Sequence, residues 1–318
     1  MKNILVTGAL GQLGSELVAH LRGIYGTDNV LATDIRKPQE GTRVAEGPFE
    51  LLDVTDGNGF MEVTRKRRPD TIIHLAAILS ATAEKNPMLA CNINMGGLMA
   101  GLEAAREAGS SFFTPSSIGA FGPSTPKVMT PQDTIQRPRT IYGVTKVAGE
   151  LLCDYYHLKF GVDTRGVRFP GLIGYVTPPG GGTTDYAVDI FYDAIRKKSY
   201  TSYIAAGTFM DMMYMPDALK AVVDLMEADP GRLVHRNAFN ITAMSFDPEM
   251  VANEIRKHIP EFRLDYEVDP VRQRIADSWP NSMDCSAAAL EWGFKPAYDL
   301  EGMAADMLLQ LRKKLVVT

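Results

Sequence analysis

Along the first 170 residues, short unbroken apolar runs alternate with longer stretches in which apolar residues recur at helical spacing. The first run is Ile4-Leu5-Val6 inside Asn3–Thr7, and Gly8 separates it from Leu13, Leu17, Val18 and Leu21. A run that is apolar at every position is the pattern of a strand covered on both faces, and the spacing after it marks one face of a helix. The unit recurs. Asn29–Thr33 reads as a second strand ending at Asp34, Phe49–Val54 as a short third ending at Asp53, Thr71–Ala77 as a fourth and Ser111–Pro115 as a fifth. Helical patterns lie between them. One runs through Phe60, Met61, Val63 and Thr64 and closes on Arg65–Arg68 and Pro69, and another spans about Met88–Ala108, where Gly96-Gly97 permits close helix approach. Strands alternating with helices predict an α/β fold with a doubly wound parallel sheet.

Beyond residue 170 the pattern loosens. Val222, Val223, Leu225 and Met226 mark a helix after Pro216-Asp217, Ala238–Ile241 a strand, and Pro248–His258 and Leu300–Leu315 two further helices. Alternation over Phe262, Leu264, Tyr266 and Val268 predicts a strand. The division expected is a cofactor-binding domain over 1–170 and a smaller C-terminal substrate lobe over 171–318, with segments near 211–243 packing back on the sheet.

Gly8, Gly11 and Gly14 fall at the first strand-to-helix turn. A glycine at the first position allows the tight turn, one at the second lets backbone approach a pyrophosphate, and one at the third lets the helix lie against the strand. Free N–H groups at the helix start then favour phosphate charge. In a chain with 28 glycines such a triplet alone is weak, but Asp34 stands 20 residues past Gly14, at a strand end. An acid there holds the adenosine ribose hydroxyls and repels a 2′-phosphate, so the cofactor expected is NAD rather than NADP, in a Rossmann arrangement. Arg36 and Lys37 temper that preference. Asp53 would bring a carboxylate to the adenine side, and Ala76 and Ala77 leave room for a flat ligand at the carboxyl edge of the sheet.

Further chemistry sits past the fifth strand. Ser116 and Ser117 follow it, and Tyr142-Gly143-Val144-Thr145-Lys146 opens a helix whose apolar face is expected at Val147, Leu151, Leu152 and Tyr155. Tyr142 and Lys146 are four apart and share a helix face. A phenol with a pKa of ~10 is a poor base at neutral pH, and an ammonium one turn away favours the phenolate. A serine hydroxyl can then hold a substrate oxygen while the tyrosine takes its proton.

Composition narrows the partners. Net charge is −5 with no arginine-rich tract or basic face, which argues against nucleic acid, and no apolar run is long enough for a membrane span. Without a signal-peptide pattern ahead of the first strand, the location expected is the cytoplasm. Cys91, Cys153 and Cys285 lack metal or disulfide spacing, and the five histidines form no ligand pattern, so no metal is expected; His74, closing an apolar strand, reads as a core histidine.

GALGQLG, the acid Asp34, LLDVTD, HLAA, Asn94, SSIGAFG and YGVTK stand in an order that resembles the extended short-chain dehydrogenases, the family of sugar-nucleotide epimerases and dehydratases. The resemblance implies Ser117, Tyr142 and Lys146 as catalytic residues, with Lys146 also touching the nicotinamide ribose. It implies NAD contacts at Gly8, Gly11, Gln12, Leu13, Gly14, Asp34, Ile35, Asp53, Val54, Leu75, Ala76, Ala77, Asn94 and Phe169, beside Tyr142 and Lys146. The helices starting near Met88 and Tyr142 resemble those that pair across a two-fold in this family, so a homodimer is expected.

The second half departs from the sugar-nucleotide members. Gly171 stands where they carry an asparagine, and Met210 where they carry the arginine of an Arg-Asp pair for the diphosphate, leaving Asp211 alone. PSSIGAFG, Gly180–Tyr186 and Asp277-Ser278-Trp279-Pro280 instead resemble the short-chain L-threonine 3-dehydrogenases. That resemblance implies NAD-dependent oxidation of L-threonine to 2-amino-3-ketobutyrate in a pocket of Ser80, Ser116, Ser117, Tyr142, Thr183, Thr184 and Trp279. Asp185 is either the ammonium partner or a cap of the helix that follows, Trp279 a pocket lid or a core residue, and Gly180–Gly182 a lid over the substrate. The rivals are a nucleotide-sugar epimerase or dehydratase and a non-catalytic NAD sensor, which would be expected to lack the serine, tyrosine or lysine.

Overall fold

The structure, a computed structural model, describes residues 1–178, 180 and 182–316. Its first half comprises β1 (Ile4–Thr7), α1 (Gln12–Tyr25), β2 (Val30–Asp34), β3 (Phe49–Leu51), α2 (Gly57–Arg67), β4 (Thr71–His74), α3 (Ser80–Lys85), α4 (Pro87–Cys91), α5 (Gly97–Ala108) and β5 (Ser111–Phe113). Then come β6 (Ser116–Ser117), α6 (Ile141–Phe160), β7 (Thr164–Arg165), β8 (Val167–Phe169) and β9 (Gly171–Ile173). The rest comprises α7 (Tyr186–Lys197), β10 (Ser199–Ser202), β11 (Met210–Tyr214), α8 (Met215–Glu227), β12 (Phe239–Asn240), β13 (Met244–Phe246), α9 (Pro248–His258), β14 (Arg263–Tyr266), α10 (Pro270–Ala276), α11 (Ser286–Trp292) and α12 (Leu300–Val316).

Six parallel strands form the central sheet in the order β3-β2-β1-β4-β5-β7. The order turns back beside β1, opening a crevice at the carboxyl edge between β1 and β4, where doubly wound sheets bind ligands. Ile4, Leu5 and Val6 are completely buried, as the unbroken apolar run requires. Leu17, Val18 and Leu21 of α1 share one core with Ala218, Val222 and Leu225 of α8, so the 215–227 segment lies against the cofactor half. A second core, around Tyr186, Phe191, Met210 and Tyr214, holds α7, α9 and α12 together.

Three short sheets carry the chain between the halves. β6 and β12 flank β8, β9 and β13 flank β11, and β10 pairs with β14. The register Ser117↔Phe169 sets β6 beside β8, and Met212↔Gly171 sets β11 beside β9.

Three sequence expectations are corrected. The helix around Met88–Ala108 is divided: α4 starts at Pro87, Asn92–Gly96 is a π-helical turn, and α5 follows, with α3 as an additional short helix ahead of them. Gly97 earns its place, since a Cβ there would lie 2.7 Å from Val54 Cγ2, whereas Gly96 approaches only the Asn92 side chain. The face of α6 is also different. Leu151 and Tyr155 are 63% and 52% exposed, while Tyr142, Thr145, Gly149, Cys153 and Tyr156 face inward, where a Cβ on Gly149 would already lie 3.1 Å from Leu98 of α5. β3 ends at Leu51, so Asp53 sits in the turn beyond it rather than at a strand end.

Candidate active site

Gly8 takes φ +67°, and a Cβ on it would lie 2.6 Å from the Ala76 amide nitrogen, so the turn from β1 and the end of β4 can meet this closely only at glycine. A Cβ on Gly14 would lie 2.3 Å from the Gly8 carbonyl oxygen, which seats α1 on the turn. Gly11 caps α1 with no side chain over its first N–H groups. Over this turn lies a cavity with about 750 Å³ of empty space including its mouth, walled by Gly8, Gly11, Asp34, Asp53, Val54 and Ala76. Ile35, Leu75 and Ala77 complete the wall from the expected set.

Asp34 is prepared for a ligand. Its Oδ2 accepts from the Leu10 amide at 3.0 Å, and its Oδ1 from the Arg36 amide at 3.1 Å and Nε at 3.2 Å. Asp53 Oδ1 accepts from Thr55 N at 2.9 Å. The Gln12 Nε2 is buried without a hydrogen-bond partner among the described residues, and Gln12 and Leu13 line the neighbouring cleft. A polar orphan beside open helix N–H groups and an acid at the strand end fit a dinucleotide, with Gly8–Gly14 for its pyrophosphate and Asp34 for its ribose.

The second cavity opens beside the first, with about 1090 Å³ of empty space including its mouth. Ser117 ends β6 on one wall; Tyr142 and Lys146 come from the first turns of α6 on another, and Phe169 closes the space between them. Thr140 starts α6 by accepting from the Gly143 amide at 3.1 Å. Lys146 Nζ donates to the Pro115 carbonyl at 2.7 Å and lies 5.5 Å from the centre of the Tyr142 ring. A Cβ on Gly119 would lie 3.1 Å from that ring, so Gly119 lets the phenol lie against the turn after β6. Ser117 Oγ accepts from the Gly119 amide at 3.1 Å, which leaves its proton to donate.

Ser80, Thr183, Thr184, Asp185 and Trp279 line the same cavity. Thr183 Oγ1 is buried without a hydrogen-bond partner among the described residues. Asp185 Oδ2 accepts from the Gly182 amide at 2.6 Å and does not cap α7, so the carboxylate fastens the turn before that helix instead. Trp279 is 6% exposed and belongs to the second core while presenting to the cavity, so wall and core are one role here. Gly181 of the Gly180–Gly182 stretch and Pro179 beside it lie outside the described residues.

Ser116 lines the second cavity, and the hydrogen bonds of its side chain and of Asn94 go to protein partners. Asn94 binds Ile78 with both amide atoms, accepting from its N–H at 2.8 Å and donating to its carbonyl at 3.2 Å, and it donates to Thr145 Oγ1 at 3.1 Å. Its side chain thereby braces the loop after β4. Ser116 Oγ donates to Glu150, so its hydrogen points into the protein rather than the cleft. His74 is a core residue: Thr7 Oγ1 meets its Nδ1 at 2.9 Å, and burial, reinforced by the charge of Lys146, pushes its pKa down to about 3. Sequence reasoning missed Leu79, Pro170 and Leu172 on the wall, which carry no motif, and Glu150, whose spacing of four from Lys146 was a visible signal. Among the described residues no group of His, Cys, Asp and Glu could hold a metal ion, and no helix is long and apolar enough to cross a membrane.

Residues 4–242 match the NAD dependent epimerase/dehydratase family. The chain belongs to that family, and NAD is its cofactor. An uncharacterized epimerase/dehydratase of Staphylococcus saprophyticus is 64% identical over 308 residues, 97% of this chain and 96% of that one. The X-ray structure of an L-threonine dehydrogenase from Clostridium difficile is 66% identical with a TM-score of 0.97, covering 99% of this chain and 98% of that one. The holo form of a GalE-like L-threonine dehydrogenase from Cupriavidus necator is 46% identical with a TM-score of 0.94, covering 97% and 99%.

Within the epimerase/dehydratase family, the departures noted in the sequence acquire a physical form. A Cβ on Gly171 would lie 2.3 Å from Met212 Sδ and 2.8 Å from Thr184 Cβ, so no asparagine fits where Gly171 stands. Met210 is completely buried and Asp211 is 1% exposed. Neither lines the cleft.

Proposed function

We propose that the protein oxidises the β-hydroxyl of L-threonine to 2-amino-3-ketobutyrate, as an NAD-dependent L-threonine 3-dehydrogenase working in the cytoplasm. The observation that carries this reading is the crowding at Gly171, where a Cβ would lie 2.8 Å from Thr184 Cβ, so that the wall has no room for the side chain that a nucleotide sugar would use. The 66% identity to a solved L-threonine dehydrogenase supports it. So do the three free cysteines, which suit a reducing compartment.

Each wall meets one part of the substrate. Thr183, Thr184 and Ser80 supply hydroxyl donors for the carboxylate, Asp185 the negative charge for the ammonium, and Trp279 an apolar face for the methyl group. Ser117 donates its remaining proton to the substrate oxygen. Tyr142, as phenolate, takes the hydroxyl proton while the C3–H bond breaks, and the carbonyl forms as that hydrogen leaves with its electron pair. NAD, when bound, supplies the acceptor for that hydride. Lys146 keeps an ammonium beside the phenolate and would hold the nicotinamide ribose, and its bond to the Pro115 carbonyl fixes its direction.

The protein acts as a homodimer in this reading. Val144, Leu151 and Leu158 repeat every seven residues along α6 and are 49%, 63% and 84% exposed, and Met88 of the adjacent α4 is 83% exposed. An outward apolar stripe of this kind supports a surface covered by a second copy. The test of the activity is NADH formation, followed by absorbance, with L-threonine, D-threonine, L-serine, UDP-sugars and dTDP-sugars offered in turn. L-Threonine is expected to give the highest kcat/KM; turnover of a sugar nucleotide with none of L-threonine would replace this reading by the epimerase or dehydratase one.

A further inference from the structure

Tyr142, Lys146 and Glu150 recur at intervals of four along α6 and so form one stripe, of which the chemistry above uses only the first two. Glu150 is buried, and so is its ion-pair partner Arg168, with 7% of each side chain exposed. Removing two charges from water is costly, and the cost is offset only when the remaining polar atoms are bonded. Both oxygens of Glu150 and every guanidinium nitrogen of Arg168 are. Arg168 donates from Nε to Glu150 Oε1 at 3.1 Å and from Nη2 to Oε2 at 2.9 Å, and Gln136 Nε2 donates to Oε2 at 2.7 Å. The fourth donor is Ser116 Oγ. Arg168 continues outward, donating to the Gln132 carbonyl at 2.7 Å and to Asn240 Oδ1 at 3.0 Å.

The members of this network sit one residue from the chemistry on two strands. Ser116 precedes Ser117 on β6, and Arg168 precedes Phe169 on β8; the register pairs Ser116 with Arg168 and Ser117 with Phe169. β6 is only two residues long, too short for ladder hydrogen bonds alone to fix its position against α6. The carboxylate of Glu150 ties β6 to the helix that bears Tyr142, and its bidentate bond ties both to β8.

We infer that Glu150 is a positioning residue that sets the spacing of Ser117 and Tyr142 through Ser116 and Arg168. The inference rests on the Ser117 and Tyr142 chemistry proposed above. It is independent of which hydroxyl compound is oxidised, since the pair would serve L-threonine and a sugar nucleotide alike. A displacement of about 1 Å in such a pair costs about 100-fold in rate.

The test uses the full chain with NAD and whichever substrate the wild type turns over in the screen above. Ser116→Ala removes one donor but leaves the Glu150–Arg168 pair intact, so folding is retained. It is expected to lower kcat by about tenfold or more while KM and the Kd for NADH stay within about twofold. Ser116→Thr, which keeps the hydroxyl, is expected to restore kcat. The Glu150→Met/Arg168→Met double variant replaces the ion pair by an apolar pair and is expected to melt cooperatively yet lose about 100-fold in kcat. Unchanged kcat in Ser116→Ala overturns the inference, and so does a raised KM at unchanged kcat, which would make Ser116 a substrate ligand instead. Crystal structures of the wild type and Ser116→Ala give the answer without any substrate: Ser117 is expected to shift relative to the Tyr142 ring, and coincident positions overturn the inference as well.

Discussion

Gly171 and Thr184 stand so close that a single added carbon on the glycine would lie 2.8 Å from the Cβ of the threonine. The close approach joins β9 to the turn ahead of α7, and both residues stand on the wall of the substrate cavity. Met212 Sδ, 2.3 Å from the same point, could swing aside; the Thr184 Cβ, carried directly by the backbone, could not. Gly171→Ala is therefore expected to displace Thr184, raise KM for L-threonine by about tenfold or more and cost about 1–3 kcal/mol of stability, as overpacking does. The Kd for NADH, measured by fluorescence titration, is expected to stay at its wild-type value.

Cofactor choice is expected to turn on Asp34. With Arg36 bonded to its Oδ1, the acid keeps one guanidinium occupied as well as presenting charge to a ribose. Asp34→Ala is expected to weaken NAD binding by about 10–100-fold, the worth of a charge-assisted hydrogen bond of about 1.5–3 kcal/mol. It would also release Arg36 toward a 2′-phosphate, so the ratio of NAD to NADP affinity should fall. An unaltered ratio in parallel titrations would remove Asp34 from cofactor discrimination.

A pH effect on stability is expected from Asp211. Burial pushes its carboxyl up to about 7 from 3.8, against the smaller opposing influence of Thr242 and the Met283 backbone. Because the folded pKa is the higher one, the folded chain holds the proton more tightly than the unfolded chain. The associated stability is fully present below pH ~4, declines as pH rises toward ~7, and is flat above that, a span of up to about 4 kcal/mol. Asp211→Asn, neutral at every pH, is expected to raise Tm relative to wild type at pH 8 and to leave it nearly unchanged at pH 4. Equal Tm differences at both pH values would mean that Asp211 does not titrate in this range.

Much of this was legible in the sequence because it depends on local rules. Unbroken apolar runs located the buried strands, and the glycine spacing located the turn, since Gly8 and Gly14 meet backbone at distances no side chain tolerates. The direction of α6 was not legible. Its apolar residues Leu151 and Tyr155 read as a core face, yet the core is met by Gly149, Cys153 and Tyr156, and the apolar stripe faces outward. Periodicity reports that a face is apolar, not what covers it. Nor could spacing reveal that Asn94 and Ser116, both in family motifs, aim their side chains at Ile78 and Glu150, because those partners are 16 and 34 residues away.

The outward stripe gives a prediction of its own. Sedimentation of the wild type is expected to yield a dimer, and Leu151→Glu/Leu158→Glu, which places two charges on the exposed face, a monomer that retains the wild-type circular dichroism spectrum. A monomeric wild type would leave the stripe without the partner assigned to it.

The chemistry itself is tested most directly by Tyr142→Phe, which removes one oxygen from a ring otherwise held by Gly119 and by Lys146. NADH formation from L-threonine is to be measured beside NADH binding in the same preparation. The expected result is turnover reduced by at least about 1000-fold with binding within about twofold of wild type. Oxidation of L-threonine at the wild-type rate by the phenylalanine variant would contradict the account.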